Sequence, residues 1–157
     1  MLSLFRRTRI LPTSQLFNDQ TFYRAFEKDL AQCKYDTIIE SPFLTVRRIN
    51  SLLPIFKKLR QQDVTIIVNT RDPREYDGYM ATDAIQAIDM LQEIGIEVLF
   101  TGGHHRKLAI FDRRVLWEGS LNILSQNNSC EIMRRMESEA LAEQTINFIN
   151  LNQFLDK

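Results

Sequence analysis

Residues 64–70 read VTIIVNT, an apolar and β-branched run with no polar residue in alternation until its end. A strand with one face in water alternates apolar and polar side chains, so a run like this needs cover on both faces. The chain must then supply helices above and below a sheet, and its other segments read that way. Phe22, Phe26 and Leu30 recur at four-residue spacing, which predicts an amphipathic helix capped by Asn18 or Asp19 and running to Lys34. YDTIIE, before Ser41-Pro42, predicts a short buried strand ending in a turn. A second helix is expected over 46–61, with Pro54 kinking or dividing it. Residues 71–82, charged and carrying Pro73 and Gly78, predict a long loop of the kind that often holds function.

A third helix is expected over 83–94, with Ile85, Ile88 and Leu91 inward and Gly95 as its stop, followed by the strand IEVLF. KLAIFD and RRVLWEG predict two strands with a tight connection near Asp112 and Arg113. EIMRRM predicts a last strand, and Ser138 caps a final helix reaching about Leu155. Strands alternating with helices give the fold class: α/β, a mostly parallel mixed sheet sandwiched between helices. Residues 1–14 are expected to be a basic arm or a leading strand, and 15–157 one domain.

Composition narrows the partners little. The 157 residues carry 20 basic and 20 acidic side chains, so a nucleic-acid or membrane partner must be read from local charge. The basic segment 1–14 lacks the apolar core of a secretory signal, and no stretch approaches the roughly 18 apolar residues of a membrane span, so no membrane partner is expected. Cys33 and Cys130 form no paired motif and read as packing residues, which suits a reducing cytoplasm.

Residues 104–122, HHRKLAIFDRRVLWEGSLN, hold both histidines of the chain. Strand alternation turns His105 and Lys107 to one face, where both can meet one ligand. Gly119 permits close backbone approach, and Ser120 and Asn122 offer hydrogen-bond donors. A histidine nucleophile, a lysine cation and an amide donor suit an anion attacked at its centre, and a phosphodiester fits. Sites in open α/β sheets gather at the carboxyl ends of strands. Ser41, Arg71, Arg106 and Arg134, near the proposed strand ends, are therefore the expected substrate contacts.

His105-x-Lys107, four residues, Asp112, six residues, Gly119-Ser120-x-Asn122 resembles the HKD signature of the phospholipase D superfamily without gap or insertion. Six fixed positions coincide by chance about once in ten million windows. LFNDQTFYRAFEKDL, IIESPFLTVRRI and CEIMRRMES are similar to phospholipase D-like domains that occur alone or at the end of bacterial DNA helicase-like proteins. The resemblance implies that His105 attacks phosphorus to give a phosphohistidine, that Lys107 and Asn122 hold the phosphoryl oxygens, and that Ser120 supports them. It implies that Glu131 orients His105, while Asp112 and Gly119 are structural.

A leaving alkoxide must be protonated while the first histidine is occupied. Each chain has one motif, and His104 points to the opposite face, so a homodimer sharing one site is expected. No metal or cofactor is expected, because Lys107 and Asn122 of each subunit supply the charge stabilisation. Trp117 reads as core, and Tyr76 and Tyr79 as residues able to stack on unpaired bases. The function implied is a metal-independent phosphodiesterase, a DNA endonuclease in the cytoplasm with a possible helicase-like partner. The alternatives are a DNA-binding or targeting module with little turnover, and a phosphatidyl hydrolase or transferase.

Overall fold

Residues 13–125 and 128–155 are described in this computed structural model; the expected arm falls outside them except for Thr13 and Ser14. The elements are β1 (Thr13–Asn18), α1 (Phe22–Leu30), β2 (Asp36–Glu40), α2 (Val46–Gln61), β3 (Thr65–Thr70), a 3₁₀ turn (Pro73–Glu75) and α3 (Gly78–Glu93). There follow β4 (Glu97–Phe100), β5 (Leu108–Phe111), β6 (Val115–Gly119), β7 (Ile132–Glu137), α4 (Glu139–Ile149) and a second 3₁₀ turn (Asn152–Phe154). The strands form one seven-stranded sheet in the order β1-β7-β6-β5-β2-β3-β4.

The α/β class stands, but the expectation of a mostly parallel sheet is corrected. Parallel pairing is confined to β2, β3 and β4, while β2–β5, β5–β6, β6–β7 and β7–β1 are antiparallel. The reason lies in the connections. Parallel neighbours need a long crossover, and α2 and α3 provide one each; the three-residue link between β5 and β6, residues 112–114, joins only antiparallel neighbours. In that link both Asp112 and Arg113 have φ 51°, the left-handed pair that a type I′ hairpin turn demands.

Helices cover both faces, unequally. Phe26 of α1, Phe56 of α2 and Leu91 of α3 share one core with Ile39, Val68 and Trp117 of the sheet. On the other face α4 places Ala142 and Ile146 against Ile38, Ile110 and Leu116. Trp117 is wholly buried, edge-on to Phe22 at 5.3 Å, with its Nε1 donating to Asp29 at 2.9 Å, which is the core role expected of it.

Several boundaries differ from expectation for local reasons. Asn18 ends β1 and accepts from the Gln20 and Thr21 amides at 3.1 Å, so it bridges strand and helix and α1 begins four residues later. Pro54 neither divides nor ends α2. The polar segment after β3 is a loop only to Asp77, because α3 starts at Gly78, and Ile85 faces water at 50% exposure. Asn150 closes α4 in the left-handed conformation. Cys33 is buried, with burial pushing its thiol up to about 12, whereas Cys130 is exposed and is not a packing residue. No helix among the described residues is long and apolar enough to cross a membrane.

The Asp112 carboxylate ties the β5–β6 hairpin to the chain entering β2, accepting from the amides of Lys34 at 3.0 Å, Tyr35 at 2.8 Å and Asp36 at 3.3 Å. Asp112→Ala is expected to lower stability by about 1–3 kcal/mol, since it leaves those donors without their charged acceptor; urea unfolding measures it.

Candidate active site

Seven residues, 101–107, carry the chain from β4 at the sheet edge past the ends of β3 and β2 to β5 in the middle. They are pinned along the way. The Thr101 amide donates to Thr70 O at 2.9 Å, and the Gly103 amide to the Glu75 carboxylate at 3.1 Å. His104 is buried; burial holds its ring below the usual histidine range although Glu40 works the other way, and its Nε2 has no hydrogen-bond partner among the described residues. It does not join its neighbour.

His105 is exposed, and its Nε2 lies 2.7 Å from Arg71 Nη2. A guanidinium only donates, so Nε2 is the acceptor and the ring's proton sits on Nδ1. Arg71 is held from three sides. Its guanidinium carbon lies 5.9 Å from the Phe43 ring centre and 5.8 Å from that of Tyr76, and Glu75 pairs with it at 3.3 Å. Tyr76 is locked in turn, its hydroxyl donating to Pro42 O and pushed up to about 12 by burial.

Arg106 goes the other way. It forms a two-pronged pair with Glu40, Nε to Oε2 at 2.5 Å and Nη2 to Oε1 at 2.7 Å, on the face that carries Ile38 and Leu108. Glu40 has no exposure to water, and it also accepts from Asn69 Nδ2 at 2.8 Å. Arg106, expected among the substrate contacts, is thus committed to a buried carboxylate. Ser41 is likewise fully enclosed, donating to Phe43 O at 3.0 Å and accepting from the Leu124 amide at 3.2 Å, so it ties loops and does not face a substrate.

Lys107 folds its Nζ back onto His105 O at 2.9 Å, and its own carbonyl accepts from the Gly119 amide at 3.2 Å. That bond brings the two halves of the motif together. Gly119 has no room for a side chain: a Cβ there would stand 2.1 Å from Ile132 O and 2.8 Å from Met133 Sδ. Ser120 clasps β7 through its amide to Ile132 O at 2.9 Å and its Oγ from the Ile132 amide at 3.1 Å. Asn122 is half-buried, and its Oδ1 is enclosed with no hydrogen-bond partner among the described residues.

Glu131 accepts from Ser129 Oγ at 2.7 Å and makes no hydrogen bond to His105. Arg134, exposed on β7, donates to Ser14 Oγ at 2.7 Å and borders a shallow cleft with Arg106 and Lys107. The structure therefore gathers His105, Arg71, Lys107 and Gly119, with Ser120 and Asn122 on the following turn. Sequence reasoning missed Glu40 and the brace of Phe43, Tyr76 and Glu75. The one signal for Glu40 was a charged residue closing an otherwise apolar strand.

A family model described as "Cardiolipin synthase, PLD-like domain" matches residues 26–151, more than half of the chain. No curated protein matches it by sequence. Its fold is similar to that of Nuc from Salmonella typhimurium, a phospholipase D family member, with TM-score 0.72 and 15% identity over 92% of this chain and 96% of that one. NucT from Helicobacter pylori is similar at TM-score 0.72 and 12% identity, over 92% and 98% of the two chains. TrmBL2, described as an archaeal chromatin protein with a novel mode of DNA binding, is similar at TM-score 0.59 and 11% identity, over 92% of this chain and 53% of that one. At these identities the likeness is one of fold.

The crowding at Gly119 makes a direct test of the turn that carries Ser120 and Asn122. Gly119→Ala is expected to force β6 from β7 and cost about 3 kcal/mol, seen as a thermal midpoint lowered by roughly 6–12 °C.

Proposed function

The chain belongs to the phospholipase D-like domain family, and on that premise we propose that it is a metal-independent phosphodiesterase, a DNA endonuclease acting as a homodimer. The observation that carries the reading is the pair of His105 and Arg71. An exposed imidazole nitrogen offers its lone pair to a guanidinium that an incoming phosphate can claim. Once a phosphoryl oxygen takes the Arg71 N–H, Nε2 is released to attack phosphorus. A P–Nε2 bond forms as the bond from phosphorus to the leaving oxygen breaks, and that oxygen takes a proton from a second histidine. Water then attacks phosphorus, the second histidine takes the water's proton, and the P–N electron pair returns to Nε2. Lys107 and the Asn122 amide N–H groups take the charge on the remaining oxygens.

His104 is enclosed, so the second histidine is read as His105 of a second copy, and a two-fold pair shares one site. Leu16 and Ile132, 56% and 50% exposed, border the cleft beside Lys107 and supply apolar surface for such a contact. Glu131 orients His105 in this reading by moving from Ser129 when the pair forms. Arg71 beside His105 suits a phosphate backbone, and the DNA binding described for TrmBL2, a protein of similar fold, supports that class of substrate. A helicase-like partner and a cytoplasmic setting, which suits two free thiols, belong to the same reading.

The test is cleavage of labelled single- and double-stranded DNA in EDTA. Wild type is expected to cut and His105→Ala to fall by at least about 10³-fold, with its thermal midpoint and sedimentation unchanged. Hydrolysis retained in the variant overturns the mechanism, and sedimentation as an 18.5 kDa species alone at assay concentration overturns the shared site.

A further inference from the structure

A cavity of about 220 Å³ opens beside the motif, between the turn after β2, the start of α3 and the turn that carries Asn122. Phe43 and Tyr76, the two rings against which Arg71 lies, form part of its wall, and Asn122 forms another part. A group seated there would belong to the same molecule whose phosphate reaches Arg71 and His105. The cavity is smaller than the roughly 300–1,000 Å³ of drug-sized pockets and suits a single ring system.

Its polar atoms define what that ring must carry. Asn122 and Ser125 line it, while their Oδ1 and Oγ are enclosed and have no hydrogen-bond partner among the described residues; Ser125 as a whole is 4% exposed. The half-buried Asp83 carboxylate lines it as an acceptor, engaged by the Val46 amide at 3.3 and 3.4 Å. No cation among the described residues lines the cavity. A phosphate would meet a carboxylate there, and an alkyl chain would desolvate that carboxylate without offering it a donor. A flat ring with N–H donors on its edge can donate to Asp83 while its faces meet the apolar wall. Tyr79, at the rim in the first turn of α3, is 81% exposed and offers a face for stacking.

We propose that this cavity takes one unpaired nucleobase next to the scissile phosphate, so that the substrate is a single strand or an unpaired segment. The inference rests on the nuclease reading for its choice of ligand and names the substrate class of that site. A base held in a duplex reaches the cavity only after leaving its stack, which disfavours paired DNA.

The test uses the full chain in EDTA with a short single strand carrying 2-aminopurine at one nucleotide, and the same strand made abasic there. Binding is followed by fluorescence and anisotropy, and cleavage by gel. Tyr79→Ala removes the stacking face, and Ala84→Leu, whose native residue lines the cavity and is 2% exposed, fills it. Wild type is expected to favour the base-carrying strand, and both variants to lose about 5- to 150-fold on it, the range that base–aromatic stacking is worth. Both are expected to handle the abasic strand as wild type does. Thermal midpoints identify any variant that has lost its fold, and Tyr79→Ala, altered at an exposed position, carries the test alone if Ala84→Leu does.

Equal losses on both strands, or none on either, overturn the pocket, as does a loss confined to binding of phosphatidylglycerol vesicles. Cleavage of both strands at one rate leaves the nuclease reading standing and the pocket fallen. Selective binding without cleavage does the reverse.

Discussion

A carboxylate with no access to water has to be paired, because an isolated charge in that position costs several kcal/mol. Glu40 closes β2 in this state, and Arg106 reaches it with both prongs of its fork. The geometry of the proposed site follows from that bond. Once Arg106 is drawn to the face that carries α4, alternation turns His105 and Lys107 the opposite way, and His105 meets Arg71 at the end of β3. The arginine between the two motif residues thus fixes the side of the sheet on which they work. Asn69 and Thr101 extend the network by bonds of 2.8 and 3.0 Å, linking β2, β3 and the crossing loop.

The sheet is divided in its logic. Its parallel part, β2 to β4, presents strand ends at one edge, and the loop from β4 to β5 runs along that edge before the chain reverses into antiparallel strands. The reversal brings Gly119 and the turn after it to Lys107, since β6 ends beside the start of β5. A fully parallel sheet would have sent that turn to the opposite edge, away from His105. The mixed topology is what lets one short stretch of sequence supply both halves of the proposed phosphate site.

Much of this was legible in the sequence. The change of period gave α2 its observed limits and covered all of β3 with one residue, Val64, in excess, since burial and spacing are local properties. Strand direction was not legible, because an apolar run such as LAIF is buried on both faces whether its neighbour is parallel or antiparallel. The start of α3 was hidden by Gly78 and the charges before it, which read as a loop. In the candidate site, the motif spacing singled out His105, Lys107, Gly119, Ser120 and Asn122. It could not say that Arg71 would face His105 while Arg106 turned to Glu40, for both are arginines near strand ends and only pairing across 34 and 66 residues separates them. Phe43 and Tyr76 were illegible as a brace for the same reason.

The pairing of β1 with β7 joins Thr13 to Glu137 and adds an otherwise exposed strand to the sheet edge. On the ribosome, where chains grow at roughly 5–20 residues per second, β1 would emerge on the order of ten seconds before its partner. Until then it is an unpaired edge with its backbone donors and acceptors open. The order of synthesis therefore leaves the docking of β1 as a late event in maturation, and a nascent chain stalled before β7 would display a strand free to pair with another chain.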